Sequence, residues 1–221
     1  MPPANPHTFD MTLADKVTSI RILLAPVFFV IYNFYTLFFP ALPIPLGLCR
    51  YWQIPALWII FVAAELTDLL DGQIARKRKE VSDFGKLYDP FADTLMQITL
   101  FFCFVWDRIL PIVPLLLVLY REFGILFVRN LMQKKGISMG ARMGGKIKTV
   151  AYISAGVLAL AVFSLRLLAP LFTDTELYQQ TAFAFSRAAV VVFWLAVLIS
   201  LGSFADYIRV YRRSGKTPAQ G

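Results

Sequence analysis

Long apolar runs separated by short basic clusters govern what this chain can become. A bilayer crossing by a helix needs about 20 apolar residues. Six runs approach that length: residues 17–39, 55–74, 91–106, 109–132, 150–172 and 184–210. The third reaches span length only if residues 88–92 begin its helix. Composition points the same way. Of 221 residues 58% are hydrophobic and only 16% charged, where a soluble domain carries about a quarter, and the mean hydropathy is +0.64. The sequence predicts an all-α integral membrane bundle of six transmembrane helices.

The basic residues set the orientation, because cytoplasmic loops carry the excess of Lys and Arg. Lys16 precedes the first run, and Arg76, Lys77, Arg78, Lys79 and Lys86 separate the second from the third. Lys134, Lys135, Arg142, Lys146 and Lys148 separate the fourth from the fifth, and Arg212, Arg213 and Lys216 follow the sixth. A multi-pass protein of the cell membrane with N- and C-termini and active site on the cytoplasmic side is expected. The net charge of +8 does not point to nucleic acid, since orientation and anionic headgroups already account for basic span ends. The N-terminus lacks the basic region and small-residue cleavage site of a signal peptide. Cys49 and Cys103 make no disulfide framework. Residues 1–16 read as a tail with a short amphipathic surface helix over 9–16, 17–213 as the membrane domain and 214–221 as a solvated tail. Prolines at 40, 43 and 45 mark an extended loop on the far side.

The chemistry concentrates between Asp68 and Asp93. Asp68 and Asp71 are three apart on one helix, and Asp89 and Asp93 four apart on the next, so each pair shares a helical face. A short connection lets the two faces converge in an antiparallel hairpin. Carboxylates near hydrocarbon are costly unless paired, and are functional by default. The plain alternative is that they cap helices or pair with Arg76, Lys77 and Lys79. Four on two faces, with Gly72 adjacent, favour a cation instead. All-oxygen ligands suit a hard ion such as Mg²⁺ or Mn²⁺. His7 is the only histidine, which removes Ser–His and Cys–His nucleophiles. Phosphate substrates are the usual partners of a two-metal site.

The stretch Asp68-x-x-Asp71-Gly72-x-x-Ala75-Arg76-x8-Gly85-x3-Asp89-x3-Asp93 resembles in full the pattern of the CDP-alcohol phosphatidyltransferase family. A fixed pattern of this length is far more specific than a lone glycine motif. The resemblance implies six transmembrane helices, a homodimer and a two-metal site open to the cytoplasmic leaflet. It implies that Asp68, Asp71, Asp89 and Asp93 bind metal, and that Asp93 is also the catalytic base. Asp68, Gly72, Ala75, Arg76 and Gly85 would bind the cytidine nucleotide of CDP-diacylglycerol.

The acceptor has to be read elsewhere. Arg121-Glu122-Phe123 is followed eight residues after Arg121 by Arg129, then by Gly145-Lys146-Ile147-Lys148-Thr149. A helix start bearing two lysines and a hydroxyl suits an anion. Arg121, Arg129, Lys146, Lys148 and Thr149 are therefore the candidates for an acceptor phosphate. The lysines also fit ordinary positive-inside charge, and Glu122 can pair with either arginine. This arrangement is similar to the branch of the family whose acceptor is glycerol 3-phosphate and whose product is the precursor of phosphatidylglycerol. Val17-Thr18-Ser19-Ile20-Arg21 partly matches the same branch, with Ala14 and Asp15 replacing its Pro and Asn. Serine, inositol phosphate or phosphatidylglycerol as acceptor, or diacylglycerol accepting from a CDP-choline or CDP-ethanolamine, are the alternatives within the family. A divalent-cation transporter is the alternative outside it, but it leaves the glycine and arginine spacing unexplained.

Overall fold

The computed structural model describes residues 12–39, 50–78, 85–134, 143–172 and 176–214, without the side chains of 14, 69, 71–78, 86, 133–134, 143–146 and 213–214. The expected surface helix over 9–11, the proline loop at 40–45 and the tail from 215 lie outside this description.

The described residues are all-helical, in seven helices: α1 (Leu13–Tyr32), α2 (Phe34–Phe38), α3 (Gln53–Arg78), α4 (Gly85–Trp106), α5 (Ile112–Lys134), α6 (Met143–Phe172) and α7 (Glu176–Ser214). Local chemistry explains several boundaries. Thr12 caps α1: its hydroxyl accepts from the Asp15 N–H at 3.2 Å, and Asp15 accepts from the Thr12 N–H at 2.9 Å. Residues 13–16, expected in a separate surface helix, are thus the first turn of α1 itself. The run at 17–39 breaks at Asn33 into α1 and the short α2. The third run does gain its length from residues 88–92, because α4 starts at Gly85. Between α4 and α5 the chain reverses at Arg108, whose φ of 55° is left-handed. Pro111 then restricts the residue before it and delays α5 to Ile112.

Among the described residues two segments, Ile147–Phe172 in α6 and Glu176–Arg212 in α7, are long and apolar enough to cross a membrane, fewer than the six expected. The other long helices carry several charged residues, among them Arg21 on α1, Glu65 and Asp68 on α3, Asp89 and Asp93 on α4, and Arg121 and Glu122 on α5.

Two groups of helices meet at α4. Helix α1 packs on α3 and α4, α7 packs on α6 and α5, and α4 touches both α5 and α6. Ala155, Ala159, Ala189 and Ala196 are fully buried on α6 and α7, where small side chains let helix backbones approach closely. Phe101 of α4 fills the junction, with ring centroids 5.6 Å from Tyr152 of α6 and 4.7 Å from Phe193 of α7. The end near Arg108 is tied by polar contacts. The Tyr32 hydroxyl donates to Asp107 at 2.9 Å, and Arg166 donates to the Asp107 carbonyl at 2.7 Å.

Candidate active site

At the opposite end of α1, one turn presents Thr18 and Arg21, both buried. Their three-residue spacing puts them on one face, and that face meets the aspartates. Thr18 Oγ1 donates to Asp89 Oδ1 at 2.8 Å. The Arg21 guanidinium lies 3.3 Å from Asp68 Oδ1 and is also paired with Asp93 Oδ1. Ser19 and Tyr88 hydroxyls meet at 2.9 Å beside them. The expected convergence of α3 and α4 is therefore organised by α1.

Arg21, Glu65, Asp68, Asp93, Lys148 and Thr149 line one open cleft of about 630 Å³, counted to its mouth. The lining takes acidic side chains from α3 and α4 and Lys148 and Thr149 from α6. Gly156, also in the lining, leaves room for the Phe61 ring: a Cβ there would sit 2.9 Å from Phe61 Cε2. Asp89 is not among the residues that line this cleft; its carboxylate is held by Thr18.

A divalent ion would find an all-oxygen donor set here. Asp68 and Asp93 are each partly exposed to the cleft, with side-chain exposures of 40% and 49%. Among the described side chains no three converge into a complete metal centre. The side chains of Asp71, Gly72, Ala75 and Arg76 lie outside the described residues. The donor types fit a hard cation, and Arg21 supplies part of the charge that balances them.

The predicted acceptor residues divide. Lys148 and Thr149 reach the cleft. Because α6 begins at Met143, they sit in its second turn, so Lys148 acts through its ammonium rather than through free N–H groups of the helix start. Arg121 is buried and donates to Glu122 Oε1 at 2.7 Å and to the Ser200 carbonyl at 3.3 Å. Arg129 donates to the Tyr207 hydroxyl at 3.4 Å. Both arginines bear electrostatically on Lys148. The Lys146 side chain lies outside the described residues. Sequence reasoning gave no role to Arg21, Thr18 or Glu65. The Thr-x-x-Arg spacing was a visible signal, but its partners on α3 and α4 were not.

Comparison with known proteins agrees with this geometry. The family model for CDP-alcohol phosphatidyltransferase matches residues 11–202. A CDP-diacylglycerol--glycerol-3-phosphate 3-phosphatidyltransferase of Treponema pallidum (strain Nichols) is 33% identical over 91% of this chain and 89% of its own. A protein of the same name from Bacillus subtilis (strain 168) is 31% identical over 88% of this chain and 92% of its own. A probable phosphatidylglycerophosphate synthase of Mycobacterium tuberculosis (strain ATCC 25618 / H37Rv) is 30% identical over 89% of this chain and 79% of its own. Pattern, cleft and relatives converge: the chain is an enzyme and belongs to the CDP-alcohol phosphatidyltransferase family.

Proposed function

We propose that the protein transfers the phosphatidyl group of CDP-diacylglycerol to glycerol 3-phosphate, giving phosphatidylglycerophosphate and CMP. One observation carries the reading: Asp68 and Asp93 line the same cleft as Lys148 and Thr149. An acceptor with a hydroxyl at one end and a phosphate at the other suits such a lining, since Lys148 and Arg121 are two cations sharing the one carboxylate of Glu122. The relatives named for this reaction, similar over most of their length, support it.

In this mechanism Asp93 takes the proton from the acceptor hydroxyl as its oxygen attacks the phosphorus bearing the diacylglycerol. The new P–O bond forms as the bond to the CMP oxygen breaks. Two bound Mg²⁺ or Mn²⁺ ions, held by Asp68, Asp71, Asp89 and Asp93, would supply charge neutralisation for the pyrophosphate. Arg21 keeps Asp68 and Asp93 balanced and oriented. Gly72, Ala75, Arg76 and Gly85, with Asp68, take the cytidine nucleotide. Lys148 and Thr149, with Lys146, hold the acceptor phosphate, while Arg121 and Arg129 add positive field from behind.

The same reading assigns residues 17–213 to one membrane unit of six spans, with cytoplasmic termini and cleft, in a homodimer. The apolar runs and the placement of basic residues support the topology.

The test follows CMP release by purified protein in detergent with CDP-diacylglycerol, Mg²⁺ or Mn²⁺ and a panel of acceptors. Release that requires both metal and glycerol 3-phosphate, and is lost in Asp89→Ala, is expected. Release only with another alcohol would replace the acceptor, and release with none would refute the reaction.

A further inference from the structure

Behind Lys148 lies a buried group that the reaction just described does not use. Glu122 of α5 is 4% exposed. Its Oε1 accepts from Arg121 at 2.7 Å and from Lys148 Nζ at 3.0 Å. Arg121 is fixed from another side by the Ser200 carbonyl at 3.3 Å. The Lys148 ammonium also lies 5.1 Å from the centre of the Tyr152 ring, and the Tyr152 hydroxyl donates to Ser200 Oγ at 2.7 Å. Helices α5, α6 and α7 each contribute to this network. Two cations against one carboxylate leave a positive charge in excess, and of the three residues Lys148 lines the cleft.

A lysine ammonium ends a flexible four-carbon stem and loses that freedom when it binds an anion. Anchoring it beforehand removes part of that loss. A buried carboxylate paired with Lys148 alone would cancel the charge it positions. Arg121 prevents this, because it takes up the Glu122 charge from the other side. We infer that Glu122 is a positioning residue for the acceptor phosphate: it holds the Lys148 ammonium at the cleft that Asp68 and Asp93 also line, while Arg121 leaves that ammonium free charge with which to bind. The inference rests on the reading that a phosphate-bearing acceptor enters this cleft. Glu122 touches no substrate and acts through Lys148.

The experiment is a double-mutant cycle in the purified full chain: Glu122→Gln, Lys148→Met and both together, with Glu122→Asp as the conservative variant. CMP release is followed with glycerol 3-phosphate and CDP-diacylglycerol varied in turn. Each single variant is expected to raise the KM for glycerol 3-phosphate at least about tenfold, the loss of one charge-assisted contact. The KM for the lipid is expected to move less than about threefold, and the double variant to add little to Lys148→Met, since coupled residues are non-additive. Glu122→Asp is expected to fall between wild type and Glu122→Gln. Independent effects in the double variant, an unchanged acceptor KM in Glu122→Gln, or equal loss against both substrates would overturn the inference and leave the reaction standing. If Glu122→Gln does not fold, Glu122→Asp takes its place in the cycle, with the same coupling to Lys148→Met expected. A wild-type enzyme that uses only uncharged alcohols, or none, overturns the reading of the acceptor and this inference with it.

Discussion

A guanidinium that is 3% exposed and paired with carboxylates from two other helices is held by those partners, because an unpaired buried charge is expensive. Arg21→Gln removes the cation and leaves Asp68 and Asp93 to repel. Turnover is expected to fall on the order of 100-fold, as when one preorganised electrostatic partner is lost, and Arg21→Lys to restore part of it, measured as CMP release. Asp93→Asn tests the base directly, with a loss of roughly 10²- to 10⁴-fold expected. If it keeps near-normal turnover with metal still bound, the proton goes elsewhere. These residues also mark how far sequence reads. Asp68 and Asp93 were legible because helical spacing and the cost of burying charge are local arguments. Arg21 was not assigned, because its meaning depends on which distant helices its face meets. Arg121 was read as an acceptor ligand. The structure puts its guanidinium on Glu122 and the Ser200 carbonyl, a pairing that spacing allowed but did not select.

Helix contacts set the next scale. Gly124 of α5 lies under Phe204 of α7: a Cβ there would be 2.7 Å from the end of the ring. The ring can shift for Gly124→Ala, so a cost near 1 kcal/mol is expected, whereas Gly124→Leu overpacks the contact by about 1–3 kcal/mol. Thermal unfolding in detergent separates the two. Arg108, at φ 55°, should accept glycine with little change. Arg108→Val is expected to lower stability by roughly 1–2 kcal/mol, since a β-branched residue is strained there. Apolar runs announced the long helices well, and Pro111 and the Thr12 cap explain two starts. The helix start read at Gly145-Lys146 falls two residues inside α6, which begins at Met143 because polar residues continue that helix beyond its apolar stretch. Of the six spans expected, the described residues bear out two by length and apolarity, and charged residues interrupt the other long helices.

Across the molecule the cleft is a seam. Its carboxylates come from α3 and α4, with Arg21 from α1, and its lysine from α6, which packs on α7. Chelation by EDTA is expected to stop CMP release and excess Mg²⁺ or Mn²⁺ to restore it. If activity persists in EDTA, the metal role assigned to the carboxylates is refuted. The order of these helices along the chain matters during synthesis. Helices α1, α3 and α4 are synthesised before any residue of α6. For that interval the nascent chain holds these carboxylates without Lys148. Arg21, made before Asp68 and Asp93, is the neutralising partner already in hand, so the earliest helix supplies the counter-charge for α3 and α4.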